Sequence, residues 1–300
     1  MRFAFANCGL ARIIAFCLLS ILATSSPAGA DDGAPYENVA FASLDAAAPM
    51  LSGLLLKPNG AGPFPAVVML HGCAGMWTKS GKLSKRPTFW SQWLMQRGYV
   101  VLLADSFTAR GVKSICSTRN RPITPETERP FDAYGALKFL QLRPDVRADR
   151  VALMGWSNGA MTLMWTIRTA APQRPRDLKH DFRAAIGFYP GCVQISKQPF
   201  ATKILTTIQI GELDDWTLAE PCQKLVQHAK VAGSPIDITI HPGAYHNFDH
   251  PSSKLKTITT KNSAYASGEK QVHTGTHPEA RAKAIENVAA FLGLWLDKTD

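Results

Sequence analysis

The sequence has no two cysteines at CxxC spacing, no unbroken apolar run long enough to cross a bilayer, no Pro/Gly/Ser-rich linker, no internal repeat and no cluster of basic residues. Each absence removes a class of protein. Without CxxC pairs a structural zinc site has no thiolate frame. The one marked apolar stretch, Ile13 to Ala23, is far shorter than the roughly 20 residues a membrane-spanning helix needs. Without a linker or repeat, the chain reads as one domain. The net charge of +10 is scattered in ones and twos, whereas nucleic-acid binders gather Lys and Arg on one element or stripe. A solvated basic surface is the expectation, with no nucleic-acid partner.

What is present begins with an export signal. Arg2 and Arg12 give a positive start, Ile13 to Ala23 an apolar core, and Ala28-Gly29-Ala30 a small-residue cleavage site, so residues 1–30 read as a signal peptide and 31–300 as a single mature domain. No stable membrane insertion is expected after cleavage. The formal charge falls to +8, because Arg2 and Arg12 leave and the segment holds no Asp or Glu. Four cysteines remain: Cys73, Cys116, Cys192 and Cys222. In an exported chain, periplasmic or secreted, an even count implies disulfides. The pairing expected is Cys73 with Cys116 and Cys192 with Cys222, because each pair joins loops at the same end of a parallel sheet.

Short apolar runs alternate with amphipathic stretches, the pattern of a mostly parallel sheet with helices on both faces. Strands are predicted at Ala66–Leu70, Val100–Ala104, Val151–Met154, Ala184–Phe188, Ile204–Ile210 and Ile236–Ile240. Helices are predicted at Phe89–Arg97, Phe131–Leu142, Gly159–Thr169, Glu220–Val231 and Pro278–Leu296. Two segments carry no clear pattern. Thr108–Arg129 is expected to cap the sheet beside a pocket, and Pro251–His277 to be mobile or partly ordered.

One strand-turn-helix junction carries chemistry. Val151–Met154 runs into Gly155-Trp156-Ser157-Asn158-Gly159 and then a helical stretch, which is the setting of a nucleophile elbow in the α/β-hydrolase fold. The serine hydroxyl needs a histidine base, and the base needs a carboxylate to orient it. In that fold the order is Ser, acid, His, each on a loop after a later strand. His246 follows the strand Ile236–Ile240 and is the expected base, with His241 a rival placed where a structural role is more natural. His250, His273 and His277 belong to the polar segment. Asp214, Asp215 and Glu212 follow Ile204–Ile210 as candidate acids. The oxyanion donors expected are the amides of Asn158 and of Cys73 in His71-Gly72-Cys73-Ala74-Gly75. Trp156 and Trp216, beside nucleophile and acid, are candidates for walling the pocket. No metal and no cofactor is expected.

At these residues the chain resembles the dienelactone hydrolase family. The resemblance runs from about Leu54 to Leu296 and rests on His71-Gly72-Cys73, Asp105-Ser106-Phe107 with Arg110-Gly111, the elbow, Gly211 to Trp216, and Tyr245-His246-Asn247-Phe248. It implies an α/β-hydrolase fold and points to Asp214 as the acid. Founding members carry a cysteine nucleophile, act on a small cyclic ester bearing a carboxylate, and hold that carboxylate with arginines. Here Ser157 replaces the cysteine, Arg110 corresponds to one arginine, and His250 stands where another is expected. Ordinary carboxylic ester or lactone hydrolysis of a small molecule is therefore expected, rather than dienelactone itself. For Arg110, a substrate contact and an ion pair with an acid such as Asp105 stand level. Peptidase or amidase activity and a non-catalytic envelope binding protein are the alternatives. The sequence gives no oligomeric state.

Overall fold

The computed structural model describes residues 36–45, 50–261 and 269–296, with Met1 and Ala47. The predicted signal segment otherwise lies outside the described residues. The chain divides into the units Met1–Gly33 and Ala34–Asp300, and everything below concerns the second.

Eight strands form one sheet: β1 (Glu37–Ala42), β2 (Met50–Leu56), β3 (Phe64–Leu70), β4 (Val100–Asp105), β5 (Val146–Trp156), β6 (Ala184–Phe188), β7 (Leu205–Gly211) and β8 (Ile236–His241). Their order is β1-β2-β4-β3-β5-β6-β7-β8. β1 and β2 pair antiparallel, as do β2 and β4, and the rest of the sheet is parallel. Every residue of β4 and β6 is buried. Successive side chains in a strand point to opposite faces, so burial of all of them requires cover on both sides.

That cover comes from α1 (Lys85–Met95), α2 (Glu128–Gln141), α3 (Asn158–Thr166), α4 (Ala219–Val231) and α5 (Pro278–Trp295). Tyr134 of α2 donates to the Thr166 carbonyl of α3 at 3.0 Å. The Arg281 guanidinium of α5 lies 4.2 Å over the Phe89 ring of α1. Pro278 opens α5, and the His277 ring caps it by accepting from the Ala280 amide, so an α-helix begins where the missing proline N–H costs nothing.

The connection after β3 runs to one side of it and the connection after β4 returns to the other. β3 and β5 thus flank a reversal in strand order, the place where a crevice opens at the carboxyl ends of a parallel sheet. Both motif loops, His71 to Gly75 and the elbow, leave the sheet there.

The antiparallel edge β1–β2 is an addition to the predicted strands. Segment 251–277 holds a second sheet, a hairpin of β9 (Lys256–Thr260) and β10 (Lys270–Thr274). Its described part is tied to the loop after β8: a bridge pairs His246 with Thr274, and the Gly275 amide donates to the His246 carbonyl at 3.0 Å. Its strands KTITT and KQVHT hold one aliphatic residue each, Ile258 and Val272, so the alternation that marks a strand is nearly invisible to hydropathy. The disulfides are Cys73–Cys116 and Cys192–Cys222, the pairing expected.

Candidate active site

The β5–α3 junction bends too sharply for ordinary side chains. Ser157 sits at φ 51°, ψ −113°, a region L-residues occupy only when the surroundings hold them there. A Cβ on Gly155 would stand 2.5 Å from the Gly159 carbonyl oxygen, and one on Gly159 would overlap the Leu70 carbonyl oxygen. Only glycine fits at either position, so the pentapeptide pattern has a packing cause. The Ser157 amide donates to the Phe188 carbonyl at 2.9 Å, and Ser157 occupies the N-cap position of α3 without a side-chain cap bond.

The candidate acid and base are in contact. His246 Nδ1 lies 2.8 Å from Asp214 Oδ2, both side chains being almost wholly buried. Asp214 Oδ1 accepts from the amides of Trp216 at 3.0 Å and Thr217 at 2.8 Å, and Thr217 Oγ1 lies 3.1 Å from both Asp214 Oδ2 and His246 Nδ1. An acceptor in that place makes Nδ1 the protonated nitrogen and leaves the Nε2 lone pair available. The Tyr189 and Trp216 rings flank the imidazole at 4.4 and 4.8 Å between centroids.

The rival groups are employed elsewhere. Asp215 pairs with His273 at 2.7 Å and accepts the His273 amide, binding β10 to the loop after β7. Glu212 accepts from the Gly243 amide on the surface. His241 bonds the Gln209 side-chain oxygen at 2.9 Å, and burial lowers its pKa to about 4. His250 Nδ1 accepts the Ser252 amide, and burial likewise lowers it to about 4. Among the described residues no group of three His, Cys, Asp or Glu side chains could hold a metal ion.

A cavity of about 520 Å³ opens over Ser157, lined by Cys73, Asn158, Trp216, Thr217, Arg119 and Arg121, among others. The Gly72 backbone approaches closely enough that a Cβ there would lie 3.8 Å from Ser157 Cβ. This places the loop after β3 alongside the elbow. Segment 108–129 forms part of the cavity wall, as predicted. The Cys73–Cys116 bridge ties it to that loop, and the Ile115 amide donates to the Cys73 carbonyl at 2.8 Å. Burial lowers the Arg121 pKa and raises that of Glu126, which also lines the cavity.

Of the three candidate substrate contacts, Trp216 lines the cavity and two do not. Arg110 grips Asp132 through two bonds of 2.8 Å, the ion-pair alternative realised with an acid 22 residues away rather than with Asp105. Trp156 is buried, stacks on Phe188, and donates its indole N–H to Asp249 at 2.8 Å. The residues missed in the sequence, Thr217, Arg119, Arg121, Arg129 and Asp249, carry no motif; only the placement of segment 108–129 beside the pocket pointed toward any of them.

The sequence model of the dienelactone hydrolase family matches residues 51–295. A probable 2-oxo-3-(5-oxofuran-2-ylidene)propanoate lactonase from a Bradyrhizobium species is 25% identical over 214 residues, covering 65% of this chain and 77% of that one. Among solved structures, a putative dienelactone hydrolase from Klebsiella pneumoniae superposes with a TM-score of 0.59 at 15% identity, over 86% of this chain and 100% of that chain. The esterase Est2 of Thermogutta terrifontis gives 0.57 at 17% identity, over 87% and 92%.

Proposed function

This chain belongs to the dienelactone hydrolase family and is a hydrolase acting on ester bonds, and we propose that it is exported and cleaves carboxylic esters or lactones through Ser157, His246 and Asp214. The observation that carries the reading is the buried 2.8 Å contact of His246 Nδ1 with Asp214, on the loops after the strands that follow the strained Ser157 elbow. His246 Nε2 takes the Ser157 Oγ proton as that oxygen attacks the ester carbonyl. The amides of Asn158 and Cys73 receive the oxyanion. The protonated imidazole then gives its proton to the leaving alkoxide, and an acyl-enzyme remains. A water deprotonated by the same histidine releases the acid.

Arg119 and Arg121 in the cavity wall favour a substrate with an acidic group beside the ester. They come from the cap, and so replace the arginine expected where His250 stands. The Bradyrhizobium relative is named for a lactone that bears a propanoate. Two disulfides and the signal-like residues 1–30 support an oxidising, extracytoplasmic site of action.

A fluorophosphonate label followed by peptide mapping tests the nucleophile, and para-nitrophenyl acetate turnover by wild type, Ser157→Ala and His246→Ala tests the reaction. Label on Ser157 and loss of turnover in both variants is the expected result. Equal turnover by Ser157→Ala ends the proposal, and cleavage of peptides but not esters moves the reading to a peptidase.

A further inference from the structure

Arg129, in the first turn of α2, is fully buried, the rarest condition for an arginine. Its guanidinium donates to two neutral oxygens, Asn158 Oδ1 and the His71 carbonyl, the latter at 2.8 Å. Among the described residues it meets no carboxylate at salt-bridge distance; Asp132, one turn further along α2, is gripped by Arg110. Its Nε is buried without a partner. The His71 ring beside it adds no second cation, since burial foremost, with the neighbouring guanidinium, lowers its pKa to about 3. The ring's Nε2 accepts the Ser106 amide at 3.2 Å, and Nδ1–H donates to the Gly72 carbonyl at 2.8 Å.

A buried cation with no carboxylate in contact carries a desolvation cost of several kcal/mol, so its position calls for a reason. The two oxygens it joins belong to the two segments whose amides are assigned to the oxyanion: Asn158 after β5, and His71 two residues before Cys73 after β3. Nothing covalent fixes the distance between those strand ends, yet oxyanion donors act only when held within a few tenths of an ångström. We propose that Arg129 is a positioning residue for the oxyanion site, its planar fork setting the spacing of the Asn158 and His71–Cys73 segments and leaving behind both amides a positive charge that no carboxylate contacts. Lysine, with its donors on one nitrogen at the end of a flexible stem, has no rigid fork to set such a spacing. The inference rests on the assignment of Ser157 as nucleophile with those two amides as donors.

The test uses the purified protein as wild type, Arg129→Lys, Asn158→Ala and the double variant. Asn158→Ala removes the oxygen that Arg129 holds but keeps the amide. The readouts are kcat and KM for para-nitrophenyl acetate, and the Ki of a trifluoromethyl ketone whose adduct imitates the oxyanion. Each single variant is expected to lose about 10- to 100-fold in kcat, less than or comparable to the loss of a whole donor, with KM within about threefold. Ki should rise by the factor by which kcat/KM falls, and the double variant should be no worse than the poorer single, as for two partners in one contact. If Arg129→Lys melts earlier but keeps kcat and Ki, the arginine is structural and the proposal fails while the nucleophile assignment stands. If Arg129→Lys does not fold, unchanged kcat and Ki in Asn158→Ala overturn it. Absence of fluorophosphonate label on wild-type Ser157 removes the assignment itself, and the proposal with it.

Discussion

Replacing Asp249 with alanine should cost about 4 kcal/mol of stability. Its carboxylate is wholly buried and accepts from Trp90 Nε1 at 2.8 Å, Trp156 Nε1 at 2.8 Å and the Tyr189 hydroxyl at 2.6 Å, with Arg86 Nε at 3.4 Å. Arg86 is partly exposed and can turn to water; the two indoles and the phenol cannot. Leaving a buried donor unmet costs about 1–3 kcal/mol, and removing one member of a buried charged pair about 3–5 kcal/mol. The three orphaned donors relax together, so the lower part of their summed range applies. Asp249→Asn keeps shape and one acceptor oxygen but turns an amide N–H₂ toward a donor, and about 2 kcal/mol is expected. With a urea m-value of about 2–3 kcal/mol/M, alanine should lower the unfolding midpoint by about 1.3–2 M. The measurement is tryptophan fluorescence at pH 7 with both disulfides oxidised. A midpoint shift below about 0.4 M would refute the reasoning, since the carboxylate's desolvation and its bonds would then nearly cancel.

Neighbouring aspartates should separate by role. Asp214→Asn is expected to lower kcat by about 10³- to 10⁴-fold, because the amide offers the wrong partner to His246 Nδ1–H, whereas Asp215→Asn, which loosens only a half-exposed pair with His273, should leave kcat within about threefold; comparable losses in ester assays would contradict the assignment of the acid. Stability should fall as pH drops below about 6.5, since His71, His241 and His250, lowered chiefly by burial to about 3, 4 and 4, stay neutral when folded while the unfolded chain takes up protons there. The loss accumulates from about pH 6.5 down to the folded values near 4 to 3, and urea midpoints that are flat from pH 7 to pH 4.5 would exclude it. Replacing Cys116 with serine should cost up to about 4 kcal/mol by loop entropy over the 43-residue separation and also lower kcat, because the bridge holds the Cys73 loop; calorimetry and the ester assay on one sample read both.

Much of the frame was legible because it is local. Strands β3 to β7 are mostly buried on both faces and so appear as apolar runs, with the elbow's glycines forced by backbone contacts within five residues and the adjoining Leu70. The edge strand β1 exposes most of its residues and so does β9, while β10 holds a single aliphatic residue, so hydropathy carries little of their signal. Asp214 and Asp215 are adjacent and chemically identical. Which one faces His246 is decided by the turn in which Asp214 collects the Trp216 and Thr217 amides, a matter of backbone path rather than of residue type.

Arg129 and Asp249 were illegible for a different reason: hydropathy places both on the surface, and their partners lie 29 to 159 residues away in sequence. Together they account for how Ser157 keeps a backbone conformation that costs roughly 1–3 kcal/mol. Asn158, just after the serine, is held by the buried guanidinium; Trp156, just before it, is held by the buried carboxylate. Asp249 also holds Tyr189, a second non-glycine residue at positive φ, whose ring packs on His246 and whose carbonyl accepts from Thr217. A strained elbow braced on either side by opposite buried charges cannot relax without leaving one of them unpartnered. The strain at Ser157 is therefore upheld by contacts that reach the Asn158 amide proposed for the oxyanion on one side and His246, the proposed base, on the other, and a change at either charge should be felt first in kcat rather than in substrate affinity.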